Sequence, residues 1–156
     1  MIKTDIPGRG NMEIENILLD LNGTIATDGK IPLDVREKIN LLSEKVTIYI
    51  LTADTQGTAE EEVRGMNADM IKIAEEDSKN RKFEFLKSFD FEKTVAIKNG
   101  NNDHLILKEA ALGIAVLGDE GISASAMKNA DVIVKNISDS LDLFLKPKRL
   151  IATLRE

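Results

Sequence analysis

The chain has 156 residues, of which 42% are hydrophobic and 31% charged, and this composition is typical of one folded domain with a sizeable core. Its 21 Lys and Arg residues against 27 Asp and Glu give a formal charge of -6, which argues against nonspecific nucleic-acid binding. The absence of cysteine excludes disulfides and thiolate metal sites. The apolar runs are much shorter than a spanning helix of roughly 20 residues, and the amino terminus lacks a secretory apolar core, so we expect a cytoplasmic protein without membrane association.

Pro7-Gly8-Arg9-Gly10 separates two extended-looking pieces and predicts a hairpin over residues 1–16, lying against the sheet edge. After it, short apolar runs alternate with segments of helical period. The predicted strands are Ile17–Leu21, Val46–Leu51, Met70–Ile73, Thr94–Ile97, Gly113–Leu117 and Asp131–Val134. The predicted helices are Leu33–Ser43, Thr58–Gly65, Arg81–Phe89, Asp103–Ala111, Ser123–Asn129 and Ser138–Phe144, with a last helix in 146–156.

The apolar runs are continuous rather than alternating, which indicates strands buried on both faces of a parallel sheet. The pattern therefore predicts a three-layer, doubly wound α/β fold of Rossmann-like type, with a mostly parallel sheet and helices on both faces. Asp28-Gly29, a tight-turn signal between Ile25 and Ile31, predicts a small β-flap. With no internal repeat or linker, residues 1–156 are interpreted as one domain with a hairpin (1–16), a core (17–145) and a carboxyl-terminal helix (146–156).

Polar residues follow three of the predicted strands, where an open parallel sheet binds its ligands. The first strand ends in "DLNGT", the second in "LTAD", and the fourth is followed by "KNGNND". Carboxylates at Asp20, Asp54 and Asp103 are therefore expected at one edge of the sheet. Helix caps and turns would explain Thr52, Asp54 and Asp103 one by one, but not Asp20 at the tip of an apolar strand.

These stretches resemble the ordered motifs of the haloacid dehalogenase (HAD) superfamily, whose phosphatases carry D-x-D-G-T. The nearest resemblance is to the phosphorylation domain of P-type ATPases and its small soluble relatives, with D-K-T-G-T, T-G-D and G-D-G-x-N-D. The stretch "LGIAVLGDEGISASAMKNADVIV" is similar to the G-I-A-x-G…A-D-I-V ending of that domain. The match covers about residues 17 to 145 and implies a HAD-type fold.

The resemblance implies phosphoryl chemistry at Asp20, the nucleophile that would become an aspartyl phosphate. Thr52 would hydrogen-bond a phosphoryl oxygen, and Lys82 would neutralise the phosphoryl group, with Lys79 and Lys87 left open as alternatives. The implied phosphate-binding residues are Gly23, Thr24, Thr52, Ala53 and Lys82.

The resemblance also implies a Mg²⁺ site, formed by Asp20, the backbone oxygen of Asn22, Asn99 and Asp103. Asn99 replaces an Asp of the pattern and removes a charge, so we expect weak Mg²⁺ binding. Lys98 stands where the pattern has glycine. We expect its side chain to point to solvent; the alternative is an ammonium near Asp20 that partly replaces the metal.

Asn22 stands where superfamily phosphatases have the Asp that serves as general acid and base. An amide can do neither, and such help is typically worth about 10²–10⁴-fold, so we expect slow hydrolysis and a persistent aspartyl phosphate. His104 is interpreted as a surface residue at a helix start, and Asp54 as a cap or turn residue.

The leading interpretation is a Mg²⁺-dependent phosphatase or phosphotransferase that acts through Asp20. The alternative is a catalytically impaired domain that binds phosphate, a ligand or a partner. Asp20 and Thr52 are 32 positions apart, which leaves no room for a large cap or an inserted nucleotide-binding domain. We therefore expect an open cleft that admits small phosphomonoesters or a macromolecular phosphate, or that an oligomeric neighbour covers.

Overall fold

The chain begins with a hairpin of two antiparallel strands, β1 (Ile2–Ile6) and β2 (Gly10–Ile14), in a computed structural model that describes residues 1–54, 57–73 and 84–156. The hairpin was predicted, but its expected position along the sheet edge is wrong. It forms its own two-stranded sheet, leads directly into the central strand of the main sheet and packs against the carboxyl-terminal helix. Among the hydrogen bonds of the described residues, one connects the hairpin to the edge of the main sheet. The Arg9 guanidinium donates it to the Asp131 carboxylate, at 3.2 Å.

The main sheet contains six parallel strands in the order β5-β4-β3-β6-β7-β8. Their bounds are β3 (Asn16–Asp20), β4 (Thr47–Thr52), β5 (Asp69–Lys72), β6 (Thr94–Lys98), β7 (Leu112–Val116) and β8 (Val132–Val134). All six predicted strands are confirmed to within one residue at each end. These runs are rich in β-branched and leucine side chains, which favour strands. The side chains are buried because both faces of the sheet are covered.

Six helices have described bounds, and they confirm the predicted pattern. They are α1 (Leu33–Ser43), α2 (Thr58–Val63), α3 (His104–Glu109), α4 (Ala124–Asn129), α5 (Ile137–Leu145) and α6 (Pro147–Leu154). Residues 84–87 are also helical, within the predicted helix Arg81–Phe89, whose residues 81–83 lie outside the described ones. Among the described residues, no helix is both long and apolar enough to span a bilayer.

The two faces of the sheet carry separate apolar clusters, as a three-layer fold requires. Ile17 and Leu19 of β3 pack with α1 and α5, whereas Leu18 packs with α3, α4 and the helical residues 84–87. Because successive side chains of a strand point to opposite faces, Asp20 projects towards the same face as Leu18. The three-layer, doubly wound α/β architecture is confirmed.

The strand order reverses at the centre of the sheet. From β3 the chain moves outward through β4 to β5, and it then returns to β6 on the other side of β3. The crevice between the carboxyl ends of β3 and β6 is therefore the topological switch point, where such sheets bind ligands.

The predicted flap follows β3. Thr27 and Lys30 form an antiparallel bridge around Asp28 and Gly29, which have φ angles of 50° and 76°. Two residues with positive φ between paired residues are the geometry of a type I′ turn, which the Asp-Gly pair favours. The flap therefore stands beside the carboxyl end of β3.

Candidate functional site

Asp20 and Lys98 form a buried ion pair at the switch point. The Lys98 ammonium lies 2.6 Å from Oδ1 of Asp20. Lys98 is fully buried and Asp20 is 8% exposed. The pair joins the last residue of β3 to the last residue of β6, so the two central strands present opposite charges at one point.

The expectation that Lys98 points to solvent is wrong, and the alternative position beside Asp20 is the observed one. β6 extends one residue beyond its predicted end because Lys98 pairs in register with Ala115 of β7. Every residue of "TVAIK" is buried. A charge that ends an apolar strand is the same signal that singled out Asp20, and it could have identified Lys98 from the sequence.

Asp103 is the second carboxylate near this lysine. Its Oδ1 lies 4.0 Å from the Lys98 ammonium, and the residue is 2% exposed. Its other oxygen, Oδ2, accepts a hydrogen bond of 3.1 Å from the backbone N–H of Gly100. A Cβ on Gly100 would lie 2.8 Å from that same oxygen, so glycine is needed for this close approach. The loop after β6 thereby holds Asp103 with one oxygen directed towards Lys98.

Asn99 ties the loop after β6 to the loop after β3. Its side-chain amide donates a hydrogen bond of 2.7 Å to the Gly23 carbonyl, and its Oδ1 accepts one of 3.3 Å from the Thr24 hydroxyl. Gly23 has a φ of 77°, in the region that favours glycine, and a Cβ there would lie 3.1 Å from Asn99 Nδ2. Gly23, Thr24 and Asn99 are therefore brought together by direct contacts, as residues of one site must be.

The predicted magnesium ligands do not fit a divalent cation in this arrangement, because the Lys98 ammonium already lies 2.6 Å from Oδ1 of Asp20 and 4.0 Å from Oδ1 of Asp103. Two unit charges about 4 Å apart interact by roughly 4 kcal/mol at the effective dielectric of a protein site, and a divalent ion at that distance from the ammonium would be repelled about twice as strongly. The Lys98 ammonium therefore occupies the position near Asp20 and Asp103 to which their negative charges would otherwise attract a metal ion.

Thr52 and Ala53 lie at the carboxyl end of β4, beside β3. Thr52 is 4% exposed, and its hydroxyl accepts a hydrogen bond of 3.1 Å from the N–H of Asp54. Asp54 in turn accepts hydrogen bonds of 2.8 Å from the Thr58 hydroxyl and 2.7 Å from the N–H of Ala59. The N-cap residue of α2 is Gly57, but Asp54, predicted as a cap or turn residue, accepts the hydrogen bond of an N–H in the first turn of this helix.

Asn22 is exposed and opens onto the solvent side of the site. Together with Asp54, Lys30 and Glu62 it lines a cleft of about 290 Å³ between the flap and α2. On the other side of the loop, a cleft of about 370 Å³ is lined by Gly23 and Thr24. The two clefts thus border the loop after β3 on either side, while Asp20 and Lys98 themselves lie outside their linings.

Glu62 fastens the flap to α2. Its carboxylate accepts hydrogen bonds of 2.9 Å from Lys30, 3.1 Å from the N–H of Ile31 and 2.9 Å from Arg36. The hydrogen bond from Lys30, followed by that from the Ile31 backbone, lowers the pKa of Glu62 from 4.5 to about 2. This contact was not predicted from the sequence, since nothing near Glu62 marks it as different from Glu60 and Glu61.

The predicted phosphate-site lysine, Lys82, lies outside the described residues, as does the alternative Lys79. The other alternative, Lys87, is exposed and bonds Glu84 at 2.7 Å. His104 is half-buried at the start of α3, and its Nδ1 lies 3.0 Å from the Asn101 carbonyl, in agreement with a local structural role.

Comparison with known proteins gives two relatives in Methanocaldococcus jannaschii. The uncharacterized protein MJ0073 is 53% identical over 64 residues, which are 41% of this chain and 69% of that protein. The uncharacterized protein MJ0072 is 67% identical over 39 residues, which are 25% of this chain and 89% of that protein. No family model matches the chain.

Solved structures with the same fold include phosphatases of 3-deoxy-D-manno-octulosonate 8-phosphate. The enzyme of Moraxella catarrhalis, in complex with magnesium, phosphate and the sugar acid, is 15% identical, with a TM-score of 0.71 over 91% of this chain and 94% of that one. The cobalt-bound enzyme of Haemophilus influenzae is 12% identical, with a TM-score of 0.71 over 92% and 90%. The enzyme of Yersinia pestis is 13% identical, with a TM-score of 0.70 over 96% and 95%.

At these identities the structural likeness establishes the fold, and it confirms the HAD resemblance drawn from the motifs. The nearer resemblance to the phosphorylation domain of P-type ATPases stays a prediction. The chain therefore belongs to the family of MJ0073 and MJ0072, and its fold is that of the haloacid dehalogenase superfamily phosphatases.

Proposed function

We propose that the chain transfers phosphoryl groups through Asp20, as a phosphatase or phosphotransferase of the HAD type. The observation that carries this proposal is the position of Asp20, a buried carboxylate at the topological switch point of a phosphatase fold. The Lys98 ammonium lies 2.6 Å from it and 4.0 Å from Asp103, and buried Thr52 ends the neighbouring strand. Phosphoryl transfer needs mainly positioning and charge compensation, and this arrangement offers both.

The proposed reaction has two steps. A carboxylate oxygen of Asp20 attacks phosphorus, an O–P bond forms, and the bond from phosphorus to the leaving oxygen breaks. The leaving oxygen takes its proton from water. A water molecule then attacks phosphorus in the aspartyl phosphate; phosphate departs, the Asp20 carboxylate is restored, and the proton of that water passes to solvent.

Asn22 determines how fast each step runs. Its amide has no proton to give at neutral pH and cannot take one from water, so both steps lack the help of a general acid or base at this position. The proposed enzyme is therefore slow with leaving groups that need a proton, such as alkoxides. It is better suited to leaving groups that depart as stable anions, such as phenolates or carboxylates.

Two of the similar structures were solved with a divalent cation, magnesium in one and cobalt in the other. For this chain, weak Mg²⁺ binding was expected from the motifs. The ammonium of Lys98, close to both Asp20 and Asp103, argues against it, so the proposed reaction uses no metal.

A second candidate function is a phosphate-binding or partner-binding module without turnover. Two observations favour it: Asn22 replaces the acid–base residue, and Asp20 is already paired with an ammonium. An ion-paired carboxylate is a weaker nucleophile, because the pairing lowers the energy of the lone pair that must attack.

Phosphate release from a panel of alkyl and aryl phosphomonoesters and acetyl phosphate, with Asp20→Asn as control, tests the proposal. Asp139→Asn, which makes the same change at a half-buried residue in the first turn of α5, is the matched control. We expect turnover of aryl phosphates or acetyl phosphate that Asp20→Asn abolishes and Asp139→Asn retains. Equal inactivity of wild type and Asp20→Asn across the panel would favour the binding module instead.

A further inference from the structure

We propose that Lys98 takes the place of a divalent cation in this chain, so that the site binds a phosphoryl group without a metal ion. Its ammonium, held by Asp20 and Asp103, would supply the positive charge that a phosphate dianion requires. The inference rests on the proposed function, since it concerns which group supplies the positive charge that binds the phosphoryl group.

The first support is geometric. The ammonium donates a hydrogen bond of 2.6 Å to Oδ1 of Asp20, at the end of β3, and lies 4.0 Å from Oδ1 of Asp103, in the loop after β6. It lies at the switch point, where the fold places its ligands. A phosphoryl group that approaches Asp20 there must come close to this ammonium.

The second support is the charge of the loop. Relative to the G-D-G-x-N-D pattern that "KNGNND" resembles, Lys98 adds one positive charge and Asn99 removes one negative charge. The two adjacent changes together make the site more positive by two charges, which is the charge of the cation that the pattern would hold. Asn99 also has another task, because its side chain bonds Gly23 and Thr24.

The third support is the burial of Lys98. Removing an ammonium from water is costly, and a buried ion pair is often no more stable than an apolar replacement of the same size. The end of a strand whose other four residues are uncharged and buried would readily accept such a replacement. A fully buried lysine at this position is therefore better explained by a use for its charge than by a contribution to folding.

The first test uses the wild-type chain and two measurements. Phosphate binding is measured by titration calorimetry in buffer with EDTA and in buffer with Mg²⁺, and Mn²⁺ binding is measured by electron paramagnetic resonance. We expect phosphate to bind equally well in both buffers, and no Mn²⁺ ion to bind at the site.

The second test uses variants of Lys98. Lys98→Met keeps the length of the side chain without its charge, and it should weaken anion binding by about tenfold to a hundredfold, as expected for the loss of one charged hydrogen-bond donor. Lys98→Gly, which restores the pattern residue, should bind one Mn²⁺ ion, and Asp103→Asn in that background should abolish this binding. Lys38→Met removes a largely buried lysine that pairs with Asp142, away from the site, and should leave anion binding unchanged.

The outcomes separate the inference from the proposed function. Anion binding that requires Mg²⁺, or a stoichiometric Mn²⁺ site in the wild type, would overturn the inference. The proposed function would still stand in that case if Asp20-dependent turnover also required Mg²⁺. Absence of anion binding in both buffers would also overturn the inference. If, in addition, wild type and Asp20→Asn were equally inactive in the turnover assay, the proposed function would also be contradicted. If Lys98→Met does not fold, the wild-type measurements still decide the matter.

Discussion

The side-chain amide of Asn99 donates a hydrogen bond of 2.7 Å to the carbonyl oxygen of Gly23, and this bond joins the loops that end β3 and β6. The contact requires a donor at position 99, because the Gly23 carbonyl can only accept. An aspartate at this position would have to place a carboxylate against the carbonyl, or turn away and leave the carbonyl without this donor.

Asn99→Asp should therefore lower the free energy of unfolding by about 1 kcal/mol or more, because the half-buried Gly23 carbonyl loses its hydrogen-bond donor. Urea denaturation followed by circular dichroism measures the change. Asn101→Asp, the same substitution at an exposed position in the same loop, should change it by less than about 0.5 kcal/mol. Equal effects of the two variants would show that the bond to Gly23 contributes nothing to stability.

Asn22→Asp should raise the turnover of alkyl phosphomonoesters, because a carboxyl group at this position can protonate the leaving oxygen and later take a proton from water. The expected gain is about 10²-fold or more with alkyl substrates and much smaller with aryl ones, whose leaving groups need no proton. Steady-state phosphate release from matched alkyl and aryl esters measures the difference. The control is Asn101→Asp, and a similar gain with both substrate types would contradict the assigned role.

Glu62→Ala should release the flap from α2, since Ile31 loses the acceptor of its backbone N–H. Amide hydrogen exchange at Ile31 should become about tenfold to a hundredfold faster, which corresponds to the loss of a hydrogen bond to a charged group. Glu61→Ala, at the neighbouring exposed position of the same helix, is the control. Unchanged protection at Ile31 in Glu62→Ala would show that other contacts hold the flap.

The low pKa of Glu62 gives this contact a pH dependence. In the folded chain the pKa of this carboxyl is about 2, below its ordinary value of 4.5. Its contribution to stability is therefore complete above about pH 4.5 and is lost as the pH falls towards 2. Between pH 5 and pH 2.5, the free energy of unfolding should fall further in the wild type than in Glu62→Ala.

Asp142 links three helices and should be a strong contributor to stability. This largely buried carboxylate lies 2.9 Å from the Lys38 ammonium, and it accepts hydrogen bonds of 2.8 Å from Lys146 and 3.0 Å from Arg149. The hydrogen bond from Lys146, supported by Lys38 against the opposing effect of burial, lowers the pKa of Asp142 below 3.8. Lys146 and Arg149, at the start of α6, thus form an internal ion-pair network with Asp142.

Asp142→Asn should lower the free energy of unfolding at pH 7 by about 2–4 kcal/mol, because the largely buried Lys38 loses its counter-charge. The difference from wild type should shrink below about pH 4, where the unfolded chain binds the proton more readily than the folded one. Glu37→Gln, which removes an exposed carboxylate from α1, should have little effect at any pH. A difference that stays constant from pH 7 to pH 3 would contradict the depressed pKa.

The sequence was sufficient to predict the sheet and the place of Asp20. Continuous apolar runs indicate strands that are buried on both faces, and the order of the motifs places Asp20, Thr52 and Asp103 at the carboxyl ends of neighbouring strands. These features can be read from the sequence because they depend on neighbouring residues or on the alternation of strands and helices along the chain. The tight turn at Asp28-Gly29 was predictable for the same reason.

What the sequence did not predict depends on contacts between distant segments. Lys98 was expected to point to solvent, but strand pairing with Ala115 and the two nearby carboxylates draw it into the interior. The hairpin was expected at the sheet edge, but its apolar residues pack against α6. The residues next to Lys98 do not show which carboxylate it will pair with, and those next to the hairpin do not show which helix it will pack against.

The Asp20–Lys98 pair closes a loop of 78 residues, and this separation has a consequence for the order of folding. The sheet can form β3, β4 and β5 from one continuous stretch of chain, but β6 must return from far along the sequence before it pairs with β3. Such long-range pairing is slow, because the entropy of closing the loop is lost before the contacts form. The site is thus assembled only when the two halves of the sheet join, so an anion that binds there stabilises the completed sheet and not the partly folded chain.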